Sequence, residues 1–256
     1  MKHTLTTSRL LKGGETMRIA CLVVMACLLL AVGATAATYT QILYPDTSGA
    51  YGANWIALKA VPFDPNPITV FGSVDLIDGT LSRLDPVTGN TEGYFSFQEP
   101  DGPFGNMLLG EGYWLNVTTT SHTISYQGAV DGLGTESTVT EGTKISSMTD
   151  MWISLPGPTG EEGGYHWVGF PFSHNVLWTD VKVTDGNETV PVLTAVSNGW
   201  LDGGWAYLDA ATQSTYGVDP DEIMGSAYLE PGNMYQIFTR KANLALIIPA
   251  GDDYIK

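Results

Sequence analysis

The chain has 256 residues, with 11 Lys and Arg against 27 Asp and Glu, a formal net charge of −16 and 2 Cys. A field of that sign repels nucleic acid and anionic lipid. Both cysteines, Cys21 and Cys27, fall in one apolar segment near the N-terminus, so the remainder offers neither a disulfide nor a thiolate, and its stability must come from apolar burial, for which the length suffices as one large or two small domains.

Residues 19–32, IACLVVMACLLLAV, are an unbroken apolar run between Arg18 and the small residues GATAA. This pattern predicts a secretory signal peptide over residues 1–36, cut after Ala36, with Ala34 and Ala36 as the small residues a signal peptidase accepts. The run is shorter than the ~20 residues a membrane span needs; a retained N-terminal anchor and a lipoprotein modified at Cys27 are the alternatives. KGGE before Met17 can be encoded as a ribosome-binding sequence, so translation is expected to start at Met17 in a bacterial gene. From Ala37 onward, 7 Lys and Arg face 26 Asp and Glu, a net of −19, scattered as on a solvated surface. The product is expected to be extracellular or on the cell surface, with no membrane span after processing.

Beyond residue 37, Gly and Pro interrupt runs of Val, Ile, Thr, Tyr and Trp every 8 to 12 residues. That spacing predicts an all-β fold of short antiparallel strands, sandwich or barrel. LTAVSNGW, residues 193–200, is the one stretch read as a turn or two of helix. Laid on itself, the chain matches in order: ILYPDTSG with ISLPGPTG, NWIALKAVPF with HWVGFPF, LDPVT with LDAAT, LLGEGYW with LEPGNMY, and TISYQG with ALIIPA. Five matches in register predict two tandem homologous β units, residues 37–129 and 149–256. Residues 130–148, polar and rich in Gly, Ser and Thr, read as a linker or exposed hairpin. In each unit Gly49 or Gly160 suits a tight turn, and Asp85 or Asp209 is placed to accept a backbone N–H two residues on.

Alternation puts Tyr113, Leu115 and Val117 on one face, aligned with Met234, Gln236 and Phe238, and read as core. Trp114 and Asn116 share the other face, aligned with Tyr235 and Ile237. Two readings of that second face stand: burial of the Trp114 and Tyr235 rings between sheets or units, or a glycan-stacking site made of Trp114, Tyr235 and Asn116. Gly110 and Gly112 read as turn residues.

The strands Trp152–Pro156, Trp167–Phe172, Leu108–Trp114 and Leu229–Tyr235 resemble those of uncharacterised secreted bacterial proteins, built from repeats of a Trp-x-x-Leu-Pro type strand and a later Leu-x-Pro-Gly-x-Gly-Tyr-Trp type strand. The resemblance covers nearly all of the chain after residue 37. It implies an extracellular β-rich fold and no particular activity. The second copy departs from the pattern, with Asn233-Met234 where Gly-Tyr is usual.

Neither a His-Glu-x-x-His zinc motif nor a Gly-x-Ser-x-Gly nucleophile elbow is present. His166 and His174 can meet only across a turn. Two carboxylates placed by the fold would suffice for a glycosidase, which keeps a glycan-active hydrolase as an alternative. Asp219, Asp221 and Glu222, and more weakly Asp75 and Asp78, offer oxygens to calcium without the spacing of an EF-hand; no other cofactor is expected. The reading that follows is a secreted, non-enzymatic structural or adhesive protein that associates with itself or other extracellular proteins. A carbohydrate-binding module, with a polysaccharide partner, is the alternative.

Overall fold

The computed structural model describes residues 36–46, 51–99, 101–118, 120–129, 150–158, 163–172, 174–218 and 227–249. The apolar leader, the linker over 130–148, Gly49, Gly160 and the acidic cluster Asp219, Asp221 and Glu222 lie outside the described residues.

The described residues are mostly β. The first half contains β1 (Ala36–Leu43), β2 (Gly52–Ala57), β3 (Val61–Pro62), the short helices α1 (Pro67–Phe71) and α2 (Val74–Ile77), β4 (Leu81–Leu84), β5 (Thr91–Gly93), β6 (Gly112–Val117) and β7 (His122–Ala129). The second contains β8 (Met151–Leu155), β9 (Tyr165–Val168), β10 (Val176–Leu177), a 3-10 turn (Trp178–Asp180), β11 (Lys182–Thr184), β12 (Thr189–Pro191), α3 (Val192–Ser197), β13 (Leu201–Asp209), β14 (Ser214–Val218), β15 (Tyr228–Leu229), β16 (Tyr235–Thr239) and β17 (Leu244–Ile248). Four small antiparallel sheets, set like the blades of a four-bladed propeller, run β1-β7-β3, β2-β6-β4-β5, β9-β16-β13-β14 and β8-β17-β11-β12; β10 pairs with β15 apart from them.

Each half has its own core between two sheets. In the first, Leu43, Leu81, Tyr113, Leu115, Val117 and Ile124 are buried together. In the second, Leu155, Val183, Trp205, Tyr235, Ile237 and Leu246 are. The inward face expected of β6 is observed, since Tyr113, Leu115 and Val117 have no exposed surface. The turn residues also behave as expected. Asp85 accepts the Val87 N–H (2.9 Å) and the Thr88 hydroxyl (2.6 Å). Asp209 accepts the Ala211 N–H (3.0 Å) and the Thr212 hydroxyl (2.9 Å).

The helix at 192–197 falls where one was expected; α1 and α2 were not foreseen. The Asn66 side chain accepts the Ile68 N–H at 2.9 Å, and Pro67 occupies the first helical position. An Asn cap followed by Pro is a local start signal that needs no long apolar periodicity.

Candidate functional site: clefts between the two halves

The register of β6 and β16 is fixed by a buried tyrosine. The Tyr113 hydroxyl accepts the Leu108 N–H at 2.6 Å, and the Tyr235 hydroxyl accepts the Glu230 N–H at 2.5 Å, five residues back in both cases. Gly110 and Gly232, between each pair, both take positive φ, 87° and 86°. Tyr235 therefore occupies the place of Tyr113, one residue from the expected alignment, and the inward set of β16 is Tyr235, Ile237 and Thr239 rather than Met234, Gln236 and Phe238. The shared leucine of LLGEGYW and LEPGNMY suggested the wrong register; the hydrogen bond that matters is made by the tyrosine.

With that register, contacts between the halves come in matched pairs. The Ala57 N–H donates to the Gly232 carbonyl at 2.9 Å, and the Gly169 N–H donates to the Gly110 carbonyl at 3.2 Å. Bridges join Ile56 to Asn233 and Val168 to Glu111. A Cβ on Gly112 would overlap Met234, and one on Gly169 would overlap Ala57. Gly112 is thus a strand residue that admits the opposite half, not the turn residue expected; Gly110 is the turn.

Of the two readings of the second strand face, burial holds for the Tyr235 ring, and Trp114, Tyr235 and Asn116 do not share one face. Tyr235 is buried in the second core with its ring edge-on to Trp205, 5.0 Å between centroids. Burial holds its phenol at a pKa of about 12, so it stays a neutral hydrogen-bonding group. Trp114 is half-buried on the outward face of β6. It packs against Trp55 (5.6 Å) and, across the boundary between halves, Trp167 (6.1 Å), and its Nε1 donates to Asn116 Oδ1 at 2.8 Å. Trp114 and Asn116 are brought together; Tyr235 points the other way.

His166 is buried, with Nε2 3.1 Å from the Thr239 hydroxyl, and burial lowers its pKa to about 4. His174 stacks on Phe172 at 5.2 Å. Asp78 accepts both the N–H (2.7 Å) and the hydroxyl (3.0 Å) of Ser96. Among the described residues no cluster of three His, Cys, Asp or Glu side chains is arranged to hold a metal ion, and no helix is long and apolar enough to cross a membrane.

Three clefts among the described residues lie along the boundary. Two occupy matching places. One, of about 520 Å³, is walled by β1 and by residues 207–211 of the other half, and carries Thr40, Ala211, Glu230 and Lys59. Its counterpart, of about 430 Å³, is walled by β8 and carries Trp152, Val87, Leu108 and Pro156. The first is polar. The second gathers three exposed apolar side chains, Trp152, Leu108 and Val87, the indole 62 % exposed. The third is a groove of about 910 Å³ on the outward face of β13 and β16, reached by Trp55 from the first half. None of these clefts was read from the sequence, because each depends on residues that only the meeting of the halves brings together.

Comparison of the chain with protein-family models, curated proteins and solved structures found no match.

Proposed function

We propose that the chain is a duplicated, secreted, non-enzymatic structural or adhesive protein of the bacterial cell surface or extracellular matrix, and that it associates with copies of itself. The resemblance to secreted repeat-containing bacterial proteins belongs to the same reading. Duplication is supported by the common strand order of the two halves and by the matched Tyr113/Tyr235 and Asp85/Asp209 hydrogen bonds.

The observation that carries self-association is the edge strand β8. An open strand edge is a template for pairing unless charge, proline or shortness blunts it. β3 has two residues and ends in Pro62, β5 has three and contains Glu92, and β12 has three and ends in Pro191. β2 and β9 carry bridges to the opposite half. Lys59 Nζ donates to the Thr40 carbonyl on β1 at 3.4 Å. β14 leads into residues 219–226, outside the described residues. β8, Met-Trp-Ile-Ser-Leu, has neither a charge nor a proline in a chain of net charge −16, and Trp152 and Ser154 are exposed beside the apolar cleft. An exposed apolar patch continuous with an unblunted edge suits pairing with another chain.

Light scattering of the purified protein over about two decades of concentration tests this, because association is governed by mass action. The expected result is a concentration-dependent dimer or larger species that Trp152→Lys returns to monomer. A wild-type protein that stays monomeric throughout would overturn the proposal.

A further inference from the structure

We propose that the groove over Gly203 and Gly204 binds a neutral saccharide chain. This goes beyond the self-association reading and does not need it. The groove exists because the halves differ at one outward position. On β6 that position is Trp114, which pairs with Trp55 in the sheet and packs against Trp167 from the other half. On β16 the position pairing with Trp167 is Gln236. A glutamine leaves open the space an indole fills in the first half.

The floor is opened further by β13. Its pairing with β16 shifts register between Leu201 and Trp205, and the intervening Gly203 and Gly204 lack side chains. Irregularities of this kind concentrate beside binding sites, where they bend a strand and expose its backbone.

The lining has the chemistry of saccharide recognition. Tyr165, 56 % exposed, stands edge-on to Phe238 at 4.9 Å and forms an aromatic wall for an apolar sugar face. Gln236, Thr215 and the Asp202–Arg240 ion pair (2.5 Å) supply donors and acceptors for hydroxyls. Trp55, reaching over from the first half, also lines the groove. The groove's volume lies in the range of small-ligand sites. An uncharged sugar is indicated because the ion pair is internally neutral and the protein's overall field repels anionic polymers.

The test is titration of the full chain with cellohexaose and maltohexaose as neutral probes and an oligogalacturonate as the anionic one, read by tryptophan fluorescence and calorimetry. At least one neutral probe is expected to bind, and the anionic probe to bind at least about tenfold more weakly. Tyr165→Ala should weaken binding about tenfold, the scale of one lost stacking ring. Gln236→Trp, which restores the residue of the first half, should abolish it while the protein still melts cooperatively. Trp152→Lys should leave it unchanged. Failure of both neutral probes, equal binding of the anionic one, or undiminished binding by a folded Gln236→Trp protein would each overturn the proposal. None of these outcomes bears on self-association, which fails only if the wild type is monomeric.

Discussion

The two halves agree where a side chain faces inward and disagree where it faces the other half. Inside, Tyr113 and Tyr235 hold the same backbone N–H five residues back, and Leu115 and Ile237 fill the same depth of core. At the boundary, Gly112 stands opposite Met234, and Ala57 opposite Gly169, while Trp114 has Gln236 as its counterpart. An inward residue is constrained by its own sheet pair, so either half tolerates little change. A boundary residue is constrained only jointly with its neighbour across the gap. A small residue on one side can therefore admit a large one on the other, and the space left over is what differs between the clefts.

The comparison breaks most severely at Trp205, whose ring is 5 % exposed and fills the inward place that Leu81 holds in the first half. Trp205→Ala should cost about 3 to 5 kcal/mol in a denaturant melt, as for a large aromatic removed from a core. Trp55→Ala, 8 % exposed at the boundary, should fall in the same range of about 3 to 5 kcal/mol if the two halves depend on each other. A loss under ~1 kcal/mol would mean that the boundary contributes little.

The sameness of the inward faces is sharpened by Tyr113→Phe and Tyr235→Phe. Each removes the hydroxyl that accepts a backbone N–H, and each should cost about 1 to 3 kcal/mol. Tyr113 should be the larger, because its hydroxyl also donates to Glu111 Oε2 at 3.1 Å. A large cost in one half and none in the other would contradict the common register.

A smaller effect separates Asn54 from His166. Asn54 is buried in the first half, where it accepts the Tyr44 N–H at 2.8 Å and donates to the Tyr44 carbonyl at 3.0 Å. It does not titrate. His166, buried in the second, is neutral with its pKa lowered to about 4. A folded-state pKa below the unfolded value of about 6.5 means that the unfolded chain binds the proton first. His166 therefore adds stability that is fully present above about pH 6.5 and is lost as the pH falls toward 4. His166→Asn should flatten that part of the stability profile, by up to roughly 3 kcal/mol over the window, and Asn54→Ala should leave its slope unchanged.

Much of the fold was legible because the signals were local. Alternation set the inward face of β6, Asp-x-x-Thr marked both hairpin turns, and residues 193–200 held the expected helical turns. The helix after Asn66-Pro67 was missed, because its signal is a cap rather than a periodicity. The register of β16 was not, because Leu229 offered an identity to Leu108 one residue away from the structural match. Nor were the clefts. Trp114 reads as a candidate platform in isolation, yet it is half-covered by Trp55 and Trp167, while the exposed aromatics Trp152 and Tyr165 gain their surroundings from residues far away in the chain.

The central claim is that the two halves meet through matched positions with exchanged sizes, and Ala57 with Gly169 tests it most directly. Gly169→Ala alone should cost about 1 to 3 kcal/mol by overpacking, and Ala57→Gly alone about 1 to 2 kcal/mol through a lost methyl and a freer backbone. Denaturant melts of the two single variants and of the double exchange close a cycle. The predicted result is a double variant at least about 1 kcal/mol more stable than the sum of the single losses implies. Losses that simply add would show that Ala57 and Gly169 do not face each other and would contradict the account.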